Sequence, residues 1–149
     1  MPALVIAIGN PLRRDDGVAH YVQVPRGVFR HATTQLTPEV AEEVARYDTV
    51  IFVDADARAK EPRMEAIAAA PAGSGRPASP LTHALGPPEV VALARKLYGF
   101  SGEAYVCRIP VRDLAEGEGL SPAAKRFVER AEREIDQLLA TVSSAGTIK

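Results

Sequence analysis

Near the N-terminus, the apolar run Leu4-Val5-Ile6-Ala7-Ile8 is closed by Gly9-Asn10-Pro11. A short, unbroken apolar run that ends at turn residues predicts a β-strand buried on both faces, as in the centre of a parallel sheet. A second run of this kind, Thr49-Val50-Ile51-Phe52-Val53, is rich in β-branched residues and ends at Asp54. The two runs together predict a central sheet that is covered on both sides.

The segment 103–109 has the alternating pattern of a strand nearer the sheet edge, and 28–35 and 64–69 are weaker strand candidates. Helical patterns lie between these strands. The helices are predicted to begin at Thr37-Pro38, at Pro87 or Pro88, and at Ser121-Pro122, because proline suits the first turn of a helix. Strands that alternate with helices form parallel βαβ units. The sequence therefore predicts a three-layer α/β fold, with a mainly parallel, twisted sheet and helices on both faces.

The bulk composition indicates one globular domain. The chain has 149 residues, of which 46% are hydrophobic, so we expect a single domain over 1–149 with a frayed tail at 143–149. A net charge of -1 disfavours nucleic acid as a partner. No apolar stretch approaches the roughly 20 residues that span a bilayer. A single cysteine and an N-terminus without a leader pattern predict a cytoplasmic protein, whereas its oligomeric state does not follow from the sequence.

Chemically active side chains follow the predicted strands. Ligands of parallel sheets bind beyond the carboxyl ends of the strands, where Asp15 and Asp16 follow the first run and Asp54 and Asp56 follow the second. His83 precedes the helix that begins at Pro87. Carboxylates with one imidazole suit a divalent transition ion such as nickel. The sequence thus predicts loops that converge on one sheet edge, with Asp16 on an exposed loop.

Each of these residues also has a structural interpretation. The aspartates at 15 and 16 can cap a helix, Asp54 can bind loop amides, and His83 can be an ordinary loop histidine. For the other candidates we expect His20 to face solvent, His31 to be structural and Cys107 to be a small core residue. The sequence contains no G-x-G-x-x-G, G-K-[ST], G-x-S-x-G, CxxC or HExxH pattern, so no phosphate cradle or serine nucleophile is predicted.

Taken together, the motifs resemble those of the hydrogenase maturation proteases. The segment from Ile8 to Val18 is similar to the G-N-x-L-x-x-D-[DE]-G signature that opens this family. Phe52-Val53-Asp54-Ala55 resembles its strand that ends in aspartate, and Thr82-His83-Ala84-Leu85-Gly86 resembles its histidine loop. Further similar segments follow in the family's order: Gln35-Leu36-Thr37-Pro38-Glu39, Leu97-Tyr98-Gly99 and Leu120-Ser121-Pro122.

The resemblance implies a phosphorylase/hydrolase-like α/β fold and a nickel-dependent endopeptidase. Such an enzyme removes the C-terminal extension of a nickel–iron hydrogenase large-subunit precursor after nickel insertion. By motif position, Asp16, Asp54 and His83 are the implied catalytic and nickel-contacting residues. The implied partner is the large-subunit precursor, which also supplies the nickel.

The sequence departs from the family pattern in its first helix, and other interpretations stay open. The helical segment from Asp16 to Gln23 is short, and Ala19 stands where the family commonly has glycine. One alternative is a peptidyl-tRNA hydrolase-like enzyme, which requires a basic surface built from Arg13, Arg14, Arg26 and Arg30. A second is a module that binds the nickel-loaded precursor without cutting it. A generic Rossmann-like ligand binder would not bring Asp16, Asp54 and His83 together.

Overall fold

A five-stranded, mostly parallel sheet organises the chain. The computed structural model describes residues 2–68, 85–112, 117 and 119–147, except the side chains of 143–147. Within these residues the strands are β1 (Ala3–Ile8), β2 (Phe29–Thr33), β3 (Thr49–Asp56), β4 (Arg63–Ala66) and β5 (Glu103–Pro110). Their order is β2-β1-β3-β5-β4. Four strands are parallel, and β4 runs antiparallel to β5 at one edge.

Helices cover both faces of this sheet. They are a 3-10 helix (Arg14–Tyr21), α1 (Pro38–Val44), α2 (Pro87–Tyr98) and α3 (Pro122–Thr147). Leu4, Ile6 and Phe52 pack into a core with α1 and α2. Their neighbours Val5, Ala7 and Ile51 pack into a second core with the 3-10 helix and α3. The predicted three-layer α/β fold is therefore confirmed, and the alternation of faces follows from the two-residue period of a strand.

The central strands have the burial that their apolar runs predict. All six residues of β1 are buried, and so are the first five of β3. Strand β3 continues two residues beyond Asp54, because its ladder with β5 extends to the pair Asp56–Pro110. Asp54 therefore lies within the strand near its carboxyl end, where the backbone pairing holds it in place.

Helix α3 extends further than the sequence pattern indicates. The helix includes residues 143–147 of the segment for which a frayed tail is predicted, and 148–149 lie outside the described residues. Its apolar stripe packs Ala124, Val128, Ala131 and Ile135 against the sheet. No helix in the described part of the chain has the length and apolar character needed to cross a membrane.

Candidate functional site

The loop after β1 lies in close contact with the 3-10 helix. Gly9 has a φ of +149°, and a Cβ atom there would lie 2.0 Å from the backbone oxygen of Asp16. A Cβ atom on Gly17 would lie 2.5 Å from the Cα atom of Pro11. Both distances are too short for any side chain, so the two glycines of the motif allow the loop and the helix to touch. This contact sets the position of Asp16.

Asn10 orients the carboxylate of Asp16. The Asn10 backbone N–H donates to Asp16 Oδ2 at 3.0 Å, and Asn10 Oδ1 accepts from the backbone N–H of Leu12 at 3.0 Å. Asp16 is half-buried in the 3-10 helix. The prediction that Asp16 lies on an exposed loop is thus wrong, because the glycine contacts pull this segment onto the end of the sheet.

Asp54 lies close enough to Asp16 for the two charges to interact. Burial raises the pKa of Asp54 to about 6, and the negative charges of Asp16 and Asp56 add to this effect. The backbone N–H of Ala55 and the guanidinium of Arg108 lower that pKa in part. The structure therefore brings together two of the three predicted site residues, at the carboxyl ends of the neighbouring strands β1 and β3.

This pair of carboxylates has the chemistry of an incomplete cation site. Two negative charges in a partly desolvated place repel each other, and a divalent cation would relieve that repulsion. His83 lies outside the described residues. Among the residues that are described, no group of three His, Cys, Asp or Glu side chains is arranged to hold a metal ion. The described part of the site therefore supplies two oxygen donors.

Asp15 has a different environment from its neighbour Asp16. Its carboxylate is fully buried and accepts hydrogen bonds from Arg112 N at 2.9 Å, Ser121 N at 2.9 Å and Ser121 Oγ at 2.8 Å. Ser121 Oγ also accepts from the backbone N–H of Ala124 in the first turn of α3. Asp15 thus ties the 3-10 helix to the segment after β5 and to the start of α3. A buried structural carboxylate here is not evident from the sequence.

His20 supports the loop after β1. The ring Nε2 lies 2.6 Å from the carbonyl oxygen of Gly9, and because a carbonyl only accepts, Nε2 carries the proton. Arg30 on β2 donates to the backbone oxygen of His20 at 2.7 Å. The prediction that His20 faces solvent is wrong, since the 3-10 helix turns its ring toward Gly9. Its spacing of four residues from Asp16 was the available signal.

His31 and Cys107 lie away from the site. His31 on β2 pairs through Nδ1 with Glu43 Oε1 on α1 at 2.6 Å, which fits the structural role predicted for it. Cys107 is fully buried on β5, as predicted. Burial, with a smaller effect of Glu134, raises the pKa of its thiol to about 12. A protonated, inaccessible thiol is a poor nucleophile, so Cys107 is a core residue.

Two of the arginines that a tRNA-binding surface requires, Arg13 and Arg26, lie at opposite ends of the sheet. Arg26 lines a cavity of about 750 Å³ together with Ala3 and Thr49, the first residues of β1 and β3. Arg13 instead forms a β-bridge with Gly117, beside the loop at the carboxyl end of β1. The arginines therefore do not form one surface, which disfavours the peptidyl-tRNA hydrolase-like alternative.

Solved structures with this architecture were found by comparison of whole chains. The hydrogenase maturating endopeptidase HybD from E. coli has a TM-score of 0.63 and 21% sequence identity, covering 98% of this chain and 94% of that one. The [NiFe] hydrogenase maturation protease HycI from Thermococcus kodakarensis has a TM-score of 0.61 and 18% identity, with coverage of 91% and 88%. This chain has the fold of the hydrogenase maturation proteases.

The maturation-protease fold confirms the architecture that the sequence motifs implied. An uncharacterized protein from Wolinella succinogenes shares it, with a TM-score of 0.61, 26% identity and coverage of 94% of this chain and 97% of that one. No protein-family model matches this chain, and neither does any curated protein. The likeness that these comparisons show lies in the fold.

Proposed function

We propose that this chain is a cytoplasmic endopeptidase of the hydrogenase maturation protease family. It removes the C-terminal extension from a nickel–iron hydrogenase large-subunit precursor after nickel insertion. The observation that carries this proposal is the interacting pair Asp16 and Asp54 at the carboxyl ends of β1 and β3. In a fold that known maturation endopeptidases share, the pair occupies the position where parallel sheets bind ligands.

In the proposed mechanism, nickel arrives as part of the substrate. Asp16, held by the Asn10 N–H, and Asp54, held within β3, offer carboxylate oxygens to the ion. His83 is the third proposed ligand, from the segment before α2. Leu85, which follows it by two residues, pairs with Leu36 beyond the carboxyl end of β2 and so supports this assignment. Nickel bound by these residues would supply a Lewis acid that could polarise a carbonyl or activate a water.

The experiment that tests the proposal is the intact mass of the hydrogenase large subunit in cells with and without this gene. We expect an extended subunit in the deletion strain and a mature subunit after complementation. Asp16→Asn should fail to complement, because it removes a negative charge but keeps an acceptor for the Asn10 N–H. Asp48→Asn, an exposed residue near the amino ends of the strands, is the matched control and should complement fully.

Two outcomes would contradict the proposal. A mature subunit in the deletion strain would show that this gene is not needed for processing. Stable capture of the precursor without a change in mass would favour the non-cleaving binding module. Nickel dependence is tested separately by incubating purified protein with nickel-free precursor. We expect the precursor to remain uncut until nickel is restored to it.

A further inference from the structure

A second cavity adjoins the proposed site on the side of β5 and β4. Its volume is about 440 Å³, and its basic lining residues are Arg58, Lys60, Arg63 and Arg108, here called the basic groove. Arg108 pairs in register with Asp54 on one side and with Arg63 on the other. The basic groove therefore begins at the neighbour of Asp54 and extends to the edge strand.

The acids of this cavity are already engaged. Glu65 pairs with Arg108 at 3.8 Å, and Glu61 pairs with Arg130 of α3 at 3.3 Å. Asp56 Oδ1 accepts the backbone N–H of Arg58 at 2.8 Å, which closes the turn after β3.

Three of the four cations of the groove have no ion-pair partner among the described residues. Within the described residues, the side chains of Arg58, Lys60 and Arg63 form no ion pair, and all three residues are exposed. The four cations of the lining outnumber its three acids by one, so the cavity presents a net positive charge.

We propose that the basic groove binds an acidic segment of the polypeptide substrate, next to the bond that is cut. This inference rests on the proposed function and names the substrate chemistry beyond it. Arginine forks bind carboxylates through paired hydrogen bonds, and complementary charge sets the register of a bound chain. Because Asp56, Glu61 and Glu65 alternate with the cations, the lining suits carboxylates spaced along a peptide better than densely charged phosphates.

The binding test uses a fluorescein-labelled peptide of alternating glycine and glutamate, followed by fluorescence anisotropy. We expect the triple variant Arg58→Gln/Lys60→Gln/Arg63→Gln to bind it about tenfold more weakly than the wild type. The matched control Lys125→Gln/Arg126→Gln/Arg133→Gln changes the same charge on exposed positions of α3 and should bind normally. Binding by the wild type should also weaken as salt rises, a measurement that needs no variant.

Three outcomes would overturn the groove proposal. Equal binding by the wild type and the triple variant would exclude the three cations. Equal affinity for a peptide with glutamine in place of glutamate would exclude charge recognition. Displacement of the peptide by inorganic phosphate at equal concentration would identify a general anion site instead.

Cleavage kinetics distinguish a failure of the groove proposal from a failure of the proposed function. With nickel-loaded precursor, the triple variant should raise KM about tenfold and leave kcat nearly unchanged, since the groove binds but does not react. A wild type that fails to cut would refute the proposed function, while the peptide titration would still decide the groove. A wild type that cuts with a KM equal to that of the triple variant would refute the groove alone.

Discussion

At the scale of single residues, two adjacent aspartates of one motif have opposite environments. Asp15 is fully buried and accepts hydrogen bonds from the segment after β5 and from the start of α3. Asp16 is half-buried, accepts from Asn10 and interacts with Asp54. Asp15 therefore stabilises the fold, whereas Asp16 belongs to the proposed site.

The first prediction compares Asp15→Asn with Asp16→Asn. Asparagine at 15 turns an NH₂ group toward the donors of Arg112 and Ser121, so we expect a loss of about 3 kcal/mol in the free energy of unfolding. Asparagine at 16 retains an acceptor and should change that free energy by less than about 1 kcal/mol. Urea denaturation measures both, and similar losses for the two variants would contradict the division of roles.

The second prediction concerns His20 as a positioning residue. His20→Leu removes the donor to the carbonyl of Gly9, the residue before Asn10, whose N–H binds Asp16. Loss of a group that supports a proposed metal ligand commonly costs about tenfold in activity. We expect His20→Leu to lower kcat for precursor cleavage by about tenfold, and His20→Gln to restore most of it through its side-chain N–H. If His20→Gln were as impaired as His20→Leu, the hydrogen bond would not be the cause.

At the scale of elements, the contact between the loop after β1 and the 3-10 helix carries the site. The loop and the helix approach closely because Gly9 and Gly17 lack side chains. Asp15 links the 3-10 helix to the start of α3 through a hydrogen bond with Ser121, and His20 links it to the loop through a hydrogen bond with Gly9. The shortened helix predicted from the sequence is thus a single 3-10 segment of 8 residues, held at both of its ends.

The third prediction tests this contact with Gly9→Ala. The methyl group of the new alanine would lie 2.0 Å from the backbone oxygen of Asp16, and its backbone would have an unfavourable φ. The 3-10 helix must therefore move away from the loop. We expect the free energy of unfolding to fall on the order of 3 kcal/mol or more. Gly27→Ala is the control, because it also has a positive φ of +89° but open space around its Cβ, and should cost about 1 kcal/mol. Equal losses would mean that φ alone, and not the close contact, explains the glycine.

At the scale of the whole molecule, the stability of the fold is coupled to the charge of its site. Asp54 has a pKa of about 6 in the folded chain, against 3.8 as its ordinary value. As the pH rises, the Asp54 carboxyl therefore loses its proton at a lower pH in the unfolded chain than in the folded chain. The stability that Asp54 contributes is thus complete below pH 4 and is lost as the pH rises through 6.

The fourth prediction follows from this linkage. In metal-free protein, Asp54→Asn should remove the decline in stability between about pH 4 and pH 6. The variant should be about 3 kcal/mol more stable than the wild type at pH 7. Urea denaturation across this pH range measures the difference. A wild type with constant stability over that interval, or a variant that is less stable at pH 7, would contradict the raised pKa.

Local sequence patterns are sufficient to predict the layers of this protein. Unbroken apolar runs such as Leu4–Ile8 require cover on both faces, and proline with N-cap residues marks where helices begin, so local pattern is sufficient for the three-layer α/β fold. The order of motifs led to the same fold that the solved maturation proteases share. These features depend on neighbours in the chain, which a sequence displays directly.

The roles of the individual side chains, in contrast, depend on contacts between distant segments of the folded chain. The contrast between Asp15 and Asp16 depends on Ser121 and Arg112, which lie about a hundred residues away along the chain. The direction of His20 depends on the path of the loop after β1, and the basic groove depends on the register of β3, β5 and β4. Such partners meet only when distant segments pack, so no local pattern of residues encodes them.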